Sequence, residues 1–298
     1  MKKLITISGP TASGKTDLSI KLASYLECSI ISCDSRQFYK EMSIGTAVPT
    51  KEELSRIKHY CIQHKSIFDT YTVGDFRHET LLLLKKLFQN NDYVIITGGS
   101  GLYMDSIVKG IDFFPKINKN VREELNYNFN LKGIKYLQEQ LSRLDPIYFS
   151  TVDINNQRRL IRALEVCISS GKPYSSFLNK RKNDYDFNIE SFAIRTNRDV
   201  LYKRINARVD KMIEEGLIDE VKKLFKHKNL NPLNTVGYKE IFEFIEKKVS
   251  LEQSIEKIKQ NTRRYAKRQI TWLKNKDYKW IDSDIDFEEF IKMINSNN

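Results

Sequence analysis

Gly9-Pro10-Thr11-Ala12-Ser13-Gly14-Lys15-Thr16 has the spacing G-x-x-x-x-G-K-[ST], and the residues on either side of it set the fold. Leu4-Ile5-Thr6-Ile7-Ser8, just before it, is a short apolar run of strand character. Thr16 to Leu26, just after it, carries apolar residues at helical spacing. A loop between such a strand and helix can turn its N–H groups inward on phosphate oxygens, and the helix adds the positive end of its dipole. Gly9, Pro10, Thr11, Ala12, Ser13 and Gly14 therefore read as a phosphate cradle. Lys15 reads as a point charge for the terminal phosphates and Thr16 as a hydroxyl ligand for Mg²⁺. The motif alone leaves open whether the diphosphate belongs to a nucleotide.

Working outward, Ser29-Ile30-Ile31-Ser32 and Tyr93-Val94-Ile95-Ile96-Thr97 are two further strand-like runs. Val73 to Phe88 between them reads as a helix, with Thr72 as its cap and Asp75 in its first turn. Strands that are apolar throughout and separated by helices imply a parallel sheet covered on both faces. Past Gly110 the strand signal fades, and residues 118–171 are helix-like, with Pro115 and Pro146 as breakers. Ser191-Phe192-Ala193-Ile194-Arg195 looks like a strand returning to the sheet. Amphipathic helices follow at Val200 to Glu215, Leu217 to Phe225, Gly237 to Lys247 and Leu251 to Leu273. The expected fold is α/β, with a P-loop NTPase-like parallel-sheet core over residues 1–112 and 191–298. A helical insertion domain over 113–190 and a helical C-terminal stretch complete it.

The chain has 298 residues and a net charge of +12, with 40% hydrophobic and 30% charged residues. That size allows one large domain with a smaller one inserted. No apolar run is long enough to span a membrane, and the N-terminal apolar stretch is too short for a signal peptide, so a cytoplasmic location is expected. Cys28, Cys33, Cys61 and Cys167 show neither paired metal-ligand spacing nor a dense disulfide pattern, which favours reduced thiols. A solvated basic surface is the plain alternative, yet an excess this size favours a polyanionic partner such as nucleic acid through screened attraction and counterion release.

Two further segments belong at the carboxyl edge of the sheet, where open α/β folds bind ligands. Asp34-Ser35-Arg36-Gln37 follows the second run directly; Asp34 could take a proton from a nucleophile beside the diphosphate, or merely cap a helix. Gly98-Gly99-Ser100-Gly101-Leu102-Tyr103 follows the third run, allowing close approach of a ligand and offering the Ser100 hydroxyl.

Together with these, IGTA (44–47), YTVGDF (71–76), RRLIRALEV (158–166), RVDKMIEEGLIDEV (208–221), NTVGYKEI (234–241) and AKRQITWL (266–273) resemble the bacterial tRNA dimethylallyltransferases, in the family's order and over nearly the whole chain. The resemblance implies a dimethylallyl diphosphate donor in the loop from Gly9 to Thr16, with Mg²⁺ on Thr16. It makes Asp34 the base for an adenine N6 amine, with Lys15 and Ser100 as its catalytic companions. Arg208, or Arg204 on the same helix, would meet the diphosphate. The implied contacts with a tRNA anticodon stem-loop are Asp34, Ser35, Arg36, Gln37, Ser100, Arg122, Arg158, Arg159, Leu160, Ile161, Arg162, Asn234, Thr235, Val236, Gly237, Tyr238 and Lys239. A monomer is expected. Val48 stands where the family usually has lysine, Tyr60 where it often has histidine, and Asp153-Ile154 where it has His-Pro. The rival reading of the cradle is a small-molecule kinase using ATP, with Asp34 activating a hydroxyl; the +12 charge and the basic segment around Arg263, Arg264, Lys267 and Arg268 count against it.

Overall fold

Lys3–Ser8 (β1) is buried along its whole length, as a strand covered on both faces must be. The computed structural model describes residues 2–180 and 185–295. Ile30–Ser32 (β2), His59–Tyr60 (β3), Tyr93–Gly98 (β4), Asn188–Arg195 (β5) and Lys279–Asp282 (β6) complete one six-stranded sheet, in the order β3-β2-β4-β1-β5-β6. Every pairing is parallel. The fold is thus α/β and P-loop NTPase-like, with helices on both sheet faces.

The twofold side-chain alternation of a strand divides the core. Leu4, Ile31, Val94 and Ile96 point into one apolar cluster with Phe38, Phe76 and Met104. Ile5, Ile7, Ile30 and Ile95 point into the other with Leu22, Phe192 and Phe290. The register matters most at the carboxyl ends. Ser8 pairs with Gly98 and with Ala193, and Ser32 pairs with Thr97. The segments leaving β1, β2 and β4 therefore emerge side by side, which brings residues 9–16, 33–37 and 98–101 to one edge.

Three elements depart from the sequence reading. The returning strand begins at Asn188 and not at Ser191, ahead of the expected boundary at 190. The C-terminal part is not purely helical, because β6 and the helix Phe287–Asn295 follow the long helix Leu251–Lys274. Both edge strands were missed, since two and four residues with polar neighbours carry no readable alternation.

The chain divides into two compact units, Met1–Val108 with Tyr185–Asn298, and Lys109–Asp184. The second unit packs the helices Lys119–Lys132, Ile134–Leu144 and Gln157–Ser170 around Leu125, Leu137, Leu141, Leu160 and Leu164. Its buried polar anchor is Asp145, fully enclosed. One carboxylate oxygen accepts from Tyr148 N at 3.0 Å and Ser175 Oγ at 2.8 Å, and the other from Ser175 N at 2.6 Å. Replacing Asp145 with alanine strips these donors of their acceptor and removes a helix cap. We expect a loss of about 2–4 kcal/mol in urea unfolding; a change under about 0.5 kcal/mol would contradict this role.

Candidate active site

The phosphate loop has the backbone its sequence requires. Gly14 takes φ 89°, a left-handed value that a side chain would strain, and the helix Lys15–Tyr25 starts from it without a side-chain cap. Its first N–H groups are thus free to face an anion. Ser13 Oγ is buried in the loop without a hydrogen-bond partner among the described residues. Lys15 Nζ donates to the Pro10 carbonyl at 2.6 Å. Burial, reinforced by the nearby Arg208 cation and only partly opposed by Asp34, lowers the Lys15 pKa to about 7. Arg208 Nη1 donates to Thr11 Oγ1 at 3.1 Å, and burial lowers its pKa too, against the pull of Asp34. Arg208, one turn beyond the exposed Arg204, is therefore the arginine seated on the loop. Thr16, Asp17, Glu53, Arg204 and Arg208 all line an open cleft of about 1320 Å³ that runs from the loop.

Two other segments close against the loop. Ser35 N donates to Ser100 Oγ at 2.9 Å, and Ser100 Oγ donates to Ser35 Oγ at 3.0 Å. Arg36 N donates to Asp34 Oδ1 at 3.1 Å. Gly98 lies so close to this turn that a Cβ would sit 2.1 Å from the Cys33 carbonyl oxygen. Ser100 thus positions the turn that carries Asp34. Sequence reading missed Gln269 as a site residue, although the AKRQITWL motif contains it. Its Oε1 accepts from Thr11 N at 2.9 Å and its Nε2 donates to Gly99 O at 3.0 Å, so one side chain joins the phosphate loop to the Gly99 turn. Tyr265, one helical turn earlier, has its phenol pKa raised by burial and further by Asp34.

Several residues expected on tRNA have other employment. Arg36 Nη1 donates to the carbonyls of Asn231 at 3.1 Å and Pro232 at 2.9 Å. Gln37 Nε2 donates to the Thr46 and Ala47 carbonyls at 3.2 and 2.9 Å. Tyr238 is fully buried, and its hydroxyl donates to Glu220 Oε1 at 2.6 Å. Glu220 also accepts from the N–H groups of Ser43, Ile44 and Gly45 at 2.9, 2.8 and 3.0 Å. The motifs around Gln37, Glu220 and Tyr238 therefore form a clamp on residues 43–47, part of the cleft wall. Leu160 and Ile161 are buried in the insertion core. Arg122 makes a bidentate pair with the buried Glu165, and Arg162 lies 5.1 Å over the Phe114 ring. Gly237 is buried, with its N–H donating to Glu240, while Thr235 and Val236 are half-buried. Arg158, Arg159, Asn234 and Lys239 remain exposed.

A family model described as IPP transferase matches residues 37–276. The chain belongs to the IPP transferase family. It is 52% identical to a tRNA dimethylallyltransferase of Flavobacterium johnsoniae, over 100% of this chain and 98% of that protein. The crystal structure of a tRNA isopentenylpyrophosphate transferase from Bacillus halodurans matches with a TM-score of 0.73 at 37% identity, covering 100% of this chain and 95% of that one. A eukaryotic dimethylallyltransferase described as acting on tRNA matches with a TM-score of 0.82 at 26% identity, covering 100% of this chain and 77% of that one.

Within this IPP transferase, two measurements test the geometry. Lys15 is largely neutral above pH 7, so an anion that restores its charge must draw in a proton. Calorimetry with inorganic diphosphate at pH 8, in buffers of different ionisation enthalpy, should show more proton uptake in the wild type than in Lys15→Met. Equal uptake in both contradicts the lowered pKa. Gln269→Ala frees the loop from the Gly99 turn and should cut kcat roughly 10²-fold with tRNA affinity unchanged. A kcat within about twofold of wild type would remove Gln269 from the site.

Proposed function

We propose that this IPP transferase moves a dimethylallyl group from dimethylallyl diphosphate to N6 of adenosine 37, beside the tRNA anticodon, and releases diphosphate. The observation that carries this reading is the junction made by Ser35, Ser100 and Gln269. It ties the Asp34 turn to a phosphate loop that holds Lys15 and Arg208. This supports a reading in which a diphosphate leaving group and a proton acceptor meet at one sheet edge.

In this reading the loop N–H groups, Lys15, Arg208 and the orphaned Ser13 hydroxyl bind the donor's diphosphate. The N6 amine forms a bond to the allylic carbon as the carbon–oxygen bond to diphosphate breaks. Developing charge on the diphosphate oxygen meets Lys15 and Arg208, and a cation there is worth most where water is excluded. Asp34 takes the amine proton. An anticodon-loop adenine must unstack to reach this edge, which such loops permit at modest cost. The donor set suits Mg²⁺: one Thr16 hydroxyl with diphosphate oxygens and water is the sparse protein ligation that ion prefers. When bound, Mg²⁺ would neutralise diphosphate charge. The exposed Arg158, Arg159, Lys239 and Arg268 supply phosphate contacts. Among the described residues no helix is long and apolar enough to cross a membrane. We place the activity in the cytoplasm. The kinase reading loses ground because full-length relatives carry the transferase name.

Mass spectrometry of tRNA after incubation with dimethylallyl diphosphate should show one added prenyl group on one adenosine. In Asp34→Asn, single-turnover transfer should slow by ~10²–10⁴-fold while tRNA still binds. Lost binding with an intact chemical step would make Asp34 a positioning residue. Arg158→Ala and Arg268→Ala should each lower the slope of log affinity against log salt by roughly 0.7–0.9, the signature of one phosphate contact. Unchanged slopes in both would move the tRNA elsewhere.

A further inference from the structure

Residues 59–79 hold a cluster that the transfer reaction does not use. We propose that Cys61, His64 and Glu79 form a binding site for a thiophilic divalent cation of the zinc or cobalt class. One donor atom from each, a thiol sulfur, a ring nitrogen and a carboxylate oxygen, lies within 4.8 Å of the others. Cys61 and His64 have C-x-x-H spacing, and Glu79 reaches them from the helix Val73–Leu87.

The independent sign of a ligand is His64. Both of its ring nitrogens are buried, and neither has a hydrogen-bond partner among the described residues. Buried imidazole nitrogens ordinarily find partners. The nearest candidate, Glu79 Oε1, stands 3.5 Å from Nε2, too far for a good bond. Glu79 is itself held in place through its other oxygen. Oε2 accepts from the Tyr71 hydroxyl at 2.8 Å and faces the Lys65 ammonium at 3.2 Å, so Oε1 is left toward His64. Such outer hydrogen bonding orients a ligating carboxylate.

The donor chemistry is consistent. One sulfur, one imidazole and one carboxylate, with a fourth position for water, is a tetrahedral set for zinc or cobalt. Burial lowers the His64 pKa, with Glu79 opposing and Lys65 assisting, which keeps the ring neutral and able to ligate. Burial pushes the Cys61 thiol up to about 12, so a free thiol there is inert. A bound cation replaces that proton, which leaves to solvent as the metal–sulfur bond forms. The site would act as a brace. The His64 and Tyr71 rings pack edge-on against Phe38, at 5.6 and 5.2 Å between centroids, and Phe38 lies four residues beyond Asp34.

The test is a titration of the chelator-treated full-length chain with Co²⁺. One equivalent should produce tetrahedral ligand-field bands and a thiolate-to-cobalt charge-transfer band, both bleached by Zn²⁺. Zn²⁺ should also raise the thermal midpoint. Cys61→Ser should lose the charge-transfer band, Cys33→Ser should keep it, and His64→Gln should weaken Co²⁺ binding by at least tenfold. No charge-transfer band in the wild type overturns the proposal without reliance on any variant. A band that survives Cys61→Ser overturns it as well.

Discussion

Lys15 and Arg208 are two basic side chains drawn to one small loop, where burial disfavours both charges and the Arg208 cation disfavours that of Lys15 further. Asp34 offsets only part of this. The arrangement becomes favourable when a polyanion enters, because the desolvation already suffered by the cations is then met by direct charge contact. The rest of the core domain is arranged around that constraint. The parallel register aligns the ends of β1 and β4, Gln269 fixes the loop to the Gly99 turn, and Ser100 fixes the Asp34 turn. A loop free to relax would let the two basic side chains separate.

The sequence motifs of this chain divide by physical duty. In the proposed reaction Gly14, Lys15, Asp34 and Arg208 face the chemistry. Gln37, Glu220 and Tyr238 face the backbone, because a loop such as 43–47 has no ladder to satisfy its N–H and carbonyl groups and side chains must do so. The buried Glu165 does similar work in the insertion, where its pairing with Arg122 makes that arginine as much a structural strut as a surface cation.

The phosphate loop and the central strands were legible because their signals are local: glycine spacing, a continuous apolar run, a capped helix. The helix Val73–Leu87 was legible for the same reason, since its Thr72–Asp75 capping box is written in four adjacent residues. The roles of Gln269 and Glu220 were hidden, because each joins segments about 170 residues apart and a lone polar residue on a helix announces no partner. The packing role of Tyr238 was hidden for the opposite reason. Its motif resembles an RNA-contacting segment, yet its side chain fills the core. The Cys61, His64 and Glu79 grouping was also invisible, since Glu79 comes from a separate helix.

On the proposed reading, Lys15 and Arg208 meet the diphosphate of a prenyl donor, and no nucleotide is turned over at this loop. Calorimetric titration of the full chain with dimethylallyl diphosphate and with ATP, each in the presence of Mg²⁺, tests it most directly. Dimethylallyl diphosphate should bind saturably, with binding lost in Lys15→Ala and in Arg208→Ala, while ATP neither displaces it nor is hydrolysed. Tight ATP binding with hydrolysis, and no heat from dimethylallyl diphosphate, would contradict the account.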